Sequence, residues 1–353
     1  MLARVEHVNA MMEKLVDWLA EYGLFAAKAL TTLLVLLVLL LLIASLKGRQ
    51  RKSEGTLSVI QLNDQLARMT ARLSEAVLDK NAFKALQKSR KQELKARSKG
   101  SDRNRVFVLN FQGDIKASAL ESLRREITTV LELATPQDEV VVKLESGGGM
   151  VHAYGLAAAQ LTRVREAGIP LTVCVDKVAA SGGYMMACIA DRILVAPFAM
   201  LGSIGVMAQL PNFNRLLQKH DVDYELLTAG EYKRTLTMFG ENTEKGREKF
   251  QEDLERIHTL FKQFVSRYRP SLDINAVATG EVWFGVEALD QQLADEVTTS
   301  DDYINKKIHM SDVFEVHFIR PKQLQDRLAS SLSKAADKVL LTWVSRFHNQ
   351  RFW

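Results

Sequence analysis

Ser181-Gly182-Gly183, within VDKVAASGGYMMACIAD, stands where an apolar strand gives way to a helix. Three features suit that hydroxyl to nucleophilic attack. It lies near the positive end of the helix. The next backbone N–H points the same way and can hold an oxyanion. The glycines let a substrate backbone come close. A plain helix N-cap uses the same residues, so at this level the two readings stand side by side. A second glycine-rich turn, ESGGGMVHAYG, follows another apolar strand. Gly147, Gly148 and Gly149 there expose several N–H groups at a helix start, an arrangement that takes anions. A phosphate loop would want a GKS or GKT sequence and an acidic residue for a ribose, and neither follows. An oxyanion hole for acyl transfer needs no such partners, and a tight turn also fits.

A serine nucleophile needs a base. The histidines are His7, His152, His220, His258, His309, His317 and His348. His7 precedes a long apolar run, and His258, His309, His317 and His348 lie far along the chain from the glycine motifs. His152 adjoins the glycine triplet and His220-Asp221 could complete a triad, but neither sits in a distinctive motif; surface or cap roles suit both. Lys233, in TAGEYKRT, is the other candidate. A lysine acts as a base only when uncharged, which takes burial enough to lower its pKa from about 10.4. Apolar residues flank the segment, yet taken alone Lys233 reads as a surface lysine.

These residues need a scaffold, and the hydropathy pattern supplies one. RVFVLNFQGD, EVVVKLES, PLTVCVD and DRILVAP read as strands, alternating with amphipathic helices over SALESLRREITTVLELA and from about Val151 to Glu166, and with a helix beginning at Ser181. Strands this uniformly apolar predict an α/β domain whose sheet is covered on both faces. After Asn212 the pattern turns mostly helical, with a long charged helix from about Asn242 to Arg269. Cys174 and Cys188 show neither metal-ligand spacing nor a disulfide framework and read as small buried hydrophobes.

The ends of the chain differ in character. Ala29 to Leu46 is uncharged for eighteen residues, roughly 27 Å as a helix, and the apolar run extends back past Lys28 to Leu24. It is too long, starts too late and leads into KGRQRK, so a cleaved signal peptide fits poorly; residues 24–46 read as a transmembrane signal anchor after a short segment 1–23. Lys47, Arg49, Arg51 and Lys52 outnumber Arg4 and Lys14, which by charge counting puts the C-terminal side in the cytoplasm. Residues 47–104 read as a charged, helical stalk with Leu62, Leu66, Met69, Leu73 and Val77 at helical spacing. Its end holds nine basic side chains between Lys84 and Arg105 against Glu93 and Asp102. That stretch carries more than the whole formal charge of +5, so the globular part is not basic and a nucleic-acid partner is excluded. Anionic lipid is a partner for the basic end, a solvated linker the plainer reading. The tail 321–353 reads as an amphipathic helix with Leu324, Leu328, Leu332, Val339, Trp343 and Phe347 on one face.

Taken together, AASGGYMMA, LESGGGMVHAYG, GSIGV, TAGEYKR and TGEVWFGVEALDQQLADEV resemble the signal peptide peptidase A family, in that family's order, over the anchor and nearly all of residues 105–320. The resemblance implies a fold of ClpP/crotonase-like repeated ββα units, with an N-terminal transmembrane helix and helical stalk, and a serine endopeptidase with a Ser/Lys dyad. Ser181 would be the nucleophile and Lys233 the general base, with the N–H groups of Gly148 and Gly182 forming the oxyanion hole and Ser203 of GSIGV helping to position the lysine. No metal or organic cofactor is called for. The implied partners are peptide substrates, membrane lipid and further copies in a homo-oligomeric ring, an octamer being one such form. The implied location is the bacterial inner membrane, single-pass, with the domain periplasmic by resemblance where charge counting says cytoplasmic. The family's proline is Gly147 here, which loosens the oxyanion loop. Two other classes share the motifs: a crotonase-like acyl-CoA enzyme, needing neither Ser181 nor Lys233, and a non-catalytic membrane scaffold.

Overall fold

The computed structural model describes residue 18 and residues 21–37, 39–40, 55–99 and 103–319, in two compact units. In the first unit, residues 21–37 and 39–40 are helical, with exposed apolar side chains such as Phe25, Leu33 and Leu37. Among the described residues no helix is long and apolar enough to cross a membrane, and the remainder of the 24–46 run lies outside them. The amphipathic tail read over 321–353 also lies outside them.

The second unit spans Thr56–Ile319. It opens with strand β1 (Thr56–Gln61), then helices α1 (Leu62–Val77) and α2 (Lys80–Lys99). The alternating core follows: β2 (Arg105–Gly113), α3 (Leu120–Leu131), β3 (Glu139–Ser146), α4 (Val151–Glu166), β4 (Leu171–Val175), β5 (Val178–Ala180), α5 (Gly182–Ala187), β6 (Arg192–Val195) and β7 (Met200–Gly202). Then come α6 (Asn214–Lys219), α7 (Glu244–Tyr268), α8 (Ile274–Val277), β8 (Val282–Phe284), α9 (Gly285–Asp290), β9 (Glu296–Val297), α10 (Ser300–Met310) and β10 (Asp312–Ile319).

The strands form one sheet whose main path runs β1-β10-β2-β3-β4-β6-β9, with β1 antiparallel at the edge and the others on that path parallel. Its faces are both covered, as uniformly apolar strands demand. Phe107, Leu109 and Phe111 point into one cluster with Ile127, Tyr154 and Leu161; Val106, Val108 and Val141 point into another with Tyr303 and Ile304.

Two departures from the sequence pattern have local causes. The start of the expected helical stalk is strand β1, whose Val59 and Ile60 favour extended backbone and whose residues pair with β10 from Thr56↔Ile319 to Gln61↔Phe314. Buried Asn63 then ties α1 to the same region, donating to the Ile308 and Ser311 carbonyls and accepting from the Val313 N–H. After Asn212 the chain is helical only over α6 before residues 220–243 run irregularly and largely exposed. That segment buries too little apolar surface to hold helices. The charged helix appears as expected, Thr243 capping it by accepting from the Gly246 N–H.

The sheet forks at the end of β3. Ser146 pairs with Gly113 of β2 on one side and with Ala179 of β5 on the other. From β5 a second arm runs on to β7, parallel, and β8, antiparallel. Because β3 and β5 run the same way, the loops leaving them, 147–150 and 181–182, emerge side by side. Such a fork at the carboxyl ends of parallel strands is where open α/β sheets place their ligand sites.

Candidate active site

Ser181 occupies the N-cap position of α5, but it does not cap: its side chain makes no hydrogen bond to the helix, and its backbone stands at φ 52°, ψ −119°. A left-handed φ on a non-glycine residue costs roughly 1–3 kcal/mol and is retained where the surroundings impose it. Here the Ser181 N–H is fixed on the Gly202 carbonyl at 2.8 Å, and the Met185 N–H returns to the Ser181 carbonyl at 3.0 Å. The hydroxyl is left half-buried and without a structural task. That decides against the plain N-cap reading.

The glycine loop meets it closely. Gly148, at φ 87°, turns the chain back so that a β-carbon there would lie 2.8 Å from Ser181 Cβ. On the other side, a β-carbon on Gly182 would overlap the Tyr154 ring at 2.4 Å, so only glycine lets α5 pack down on α4 at this point. The Gly148 N–H donates to Ser146 Oγ at 3.0 Å, and Ser146 Oγ lies 2.5 Å from Tyr154 Oη, whose own proton goes to the Asp114 carbonyl at 2.7 Å. Burial pushes the Tyr154 phenol up, against the Ser146 bond that pulls it down, so it stays protonated and remains a donor.

Two cavities open on Ser181. One, of about 250 Å³, is apolar: Val151, Met185 and Val206 line it with Ile257, Leu260, Phe261 and Phe264 from α7. The other, a groove of about 790 Å³, runs past Gly147, Gly148, Gly149, Ser203 and His258. Ser203 also has a left-handed φ, 48°, held by its N–H on the Glu281 carbonyl.

Of the residues singled out in the sequence, Ser181, Gly148, Gly182 and Ser203 therefore gather at the fork. Lys233 does not join them within the chain: it sits on the exposed segment 220–243 and lines neither cavity, and its N–H turns back to the Gly230 carbonyl. His152 and His220 are exposed. His258, far along the chain from the glycine motifs, is brought into the groove by α7, its Nε2 3.2 Å from the Ile204 carbonyl. Sequence reading missed it, and missed Tyr154; α7 was legible as a long charged helix, but nothing local in it says what it packs against. Both cysteines are buried in apolar surroundings, the Cys174 thiol pushed up to about 12 and Cys188 up as well, which removes them as nucleophiles. Among the described residues no cluster of His, Cys, Asp or Glu could hold a metal ion.

Comparison with known proteins gives the same region a family. Residues 17–161 match the peptidase family S49 N-terminal model and residues 163–313 the peptidase family S49 model. A probable protease SohB from Haemophilus influenzae is 47% identical over 92% of this chain and 96% of its own. Another, from Buchnera aphidicola subsp. Acyrthosiphon pisum, is 51% identical over 68% of this chain and 72% of its own. A solved membrane-bound stomatin-specific protease with a bound substrate peptide aligns at 14% identity and a TM-score of 0.41, covering 66% of this chain and 99% of that one.

Proposed function

Because the chain belongs to peptidase family S49, we propose that it is a membrane-anchored serine endopeptidase working by a Ser181/Lys233 dyad. Neutral Lys233 takes the Ser181 proton as the oxygen attacks the scissile carbonyl. The N–H groups of Gly148 and Gly182 hold the developing oxyanion, each worth roughly 3–4 kcal/mol in comparable sites. The lysinium then protonates the leaving amine, and water releases the acyl group. The mixed α/β scaffold is read as ClpP/crotonase-like ββα units, anchored by residues 24–46 in a bacterial inner membrane.

The observation that carries this reading is Ser181 itself: a strained, non-capping serine at the mouth of an apolar cavity, between two glycine turns. The cavity suits an apolar side chain beside the scissile bond. Short hydrophobic peptides, such as signal-peptide remnants or segments of misfolded membrane proteins, are accordingly the proposed substrates. Lys233 has to be carried to Ser181 from its exposed place. Assembly into a homo-oligomeric ring would do so, and the exposed apolar side chains of its segment, among them Tyr224, Leu226 and Leu227, give such an assembly surface to cover.

Fluorophosphonate labelling tests the assignment. Labelling lost in Ser181→Ala, with peptide hydrolysis lost in Lys233→Ala, supports the dyad; labelling that survives in Ser181→Ala removes it and leaves the acyl-CoA and scaffold alternatives. A second reading of the base has one observation in its favour, since His258 lines the Ser181 groove and Lys233 does not. Hydrolysis intact in Lys233→Ala but lost in His258→Ala would move the role to His258.

A further inference from the structure

The hydrogen-bond chain behind the glycine loop has a fixed polarity. The Asp114 carbonyl can only accept, so Tyr154 Oη spends its one proton there. The 2.5 Å contact between Tyr154 Oη and Ser146 Oγ must then run from Ser146 to Tyr154. Ser146 Oγ keeps a lone pair, and the Gly148 N–H occupies it at 3.0 Å. Ser146 and Tyr154 are both fully buried, 1% and 0% exposed. The Gly148 amide is thus aimed into the protein, at Ser146, in the very loop whose amide the reaction needs outside.

The ends of the loop are held and Gly148 packs against the Gly182 nitrogen and the Ala180 carbonyl, but Gly147 is free. Ser146 sits in the sheet between Gly113 and Ala179, and the Met150 N–H is fixed on the Ile115 carbonyl at 2.8 Å. Between them, a β-carbon on Gly147 would meet no atom within 4 Å. The free space on the Gly147 side favours a turn of the 147–148 peptide plane that leaves both α-carbons in place. Turning it costs one hydrogen bond and strands no donor: Ser146 still gives its proton to Tyr154, and only a lone pair is left open.

Resting on the peptidase reading, we propose that Ser146, oriented by Tyr154, is a positioning residue that latches the Gly148 amide in the free protein and yields it to the substrate oxyanion. Tyr154 serves both halves of the hole, its ring packed beneath Gly182 and its hydroxyl setting Ser146.

The test uses the full chain, labelled with ¹⁵N-glycine, and diisopropyl fluorophosphate, which forms a Ser181 Oγ–P bond with loss of fluoride and directs a phosphoryl oxygen at the hole. The Gly148 resonance should move on phosphorylation of the unaltered protein by this reagent, and Ser146→Ala should form the adduct about fivefold faster, the worth of one net hydrogen bond. The other glycine resonances report whether the variant keeps its fold. A Gly148 signal that stays in place on this phosphorylation overturns the latch, as does adduct formation in a folded Ser146→Ala protein at the original rate or slower. Failure of Ser181 to react at all sinks the peptidase reading instead, and the latch with it.

Discussion

A β-carbon placed on Gly148 would stand 2.7 Å from the backbone nitrogen of Gly182, so the two glycines of the proposed oxyanion hole touch backbone to backbone. The contact follows from the parallel pairing of β3 with β5, which delivers both loops to one place. Gly148→Ala would collide there, and with the Ala180 carbonyl at 2.9 Å, while forcing a left-handed φ on alanine. We expect peptide hydrolysis to fall by about 100-fold or more, with a lower melting temperature. Steady-state kinetics beside a thermal melt check this; an active, equally stable variant would show that the loops are not in contact.

Gly155 lines the apolar cavity from α4 and has open space around it. Gly155→Leu should fill part of that cavity and improve the helix, since glycine in a helix interior costs about 1 kcal/mol. Cleavage next to bulky apolar residues should drop well below cleavage next to alanine. A panel of peptides varied at that one position measures the ratio, and an unchanged ratio would remove the cavity from substrate selection.

At Gly147 the backbone is not in the left-handed region, no atom crowds it, and its amide makes no hydrogen bond among the described residues. With no amide hydrogen bond to lose there, Gly147→Pro should raise the melting temperature by about 1–4 °C by restricting the unfolded chain. A lower midpoint in calorimetry would mean that the loop needs the freedom glycine supplies.

Buried Glu126 accepts from the Phe318 N–H at 2.7 Å and lies 3.5 Å from His317. Burial raises its pKa, against the smaller lowering effects of that N–H and of His317. A carboxyl raised in the folded state favours folding most below its unfolded value and loses that contribution as pH rises through the folded one. Stability should thus fall from pH 4.5 upward in a way that Glu126→Gln removes. Urea melts across that range decide, and parallel curves for the two proteins would exclude the effect.

Asp138 behaves oppositely. Burial would raise its pKa, but the Arg105 guanidinium, with the Thr135 and Arg105 N–H groups, brings it down to about 2. Its contribution, about 2–2.5 kcal/mol, is present above pH 4 and lost as pH falls through about 2. Asp138→Asn should be destabilised by a similar amount at pH 7 and lose less on acidification. Denaturant midpoints at pH 7 and pH 3 compare the two.

How much of this was readable in the linear chain follows from the range of the forces involved. The apolar runs of β2, β3, β4 and β6 and the helical period of α4 and α7 are local, set by which side chains face the same way two, three or four residues apart. Ser181 and its glycines were legible because a strained turn at a helix start needs those residue types in that order. The pairing of β1 with β10 joins residues more than 250 positions apart, and nothing local in either strand names its partner. His258 reaches the groove, and Tyr154 reaches Ser146, only because α7 and α4 pack where the forked sheet lets them. Local residue types therefore determined the candidate serine and the glycine turns that flank it. Tertiary packing alone decided which way the Gly148 amide points and which histidine shares the groove, because both depend on elements that meet only once the sheet has formed.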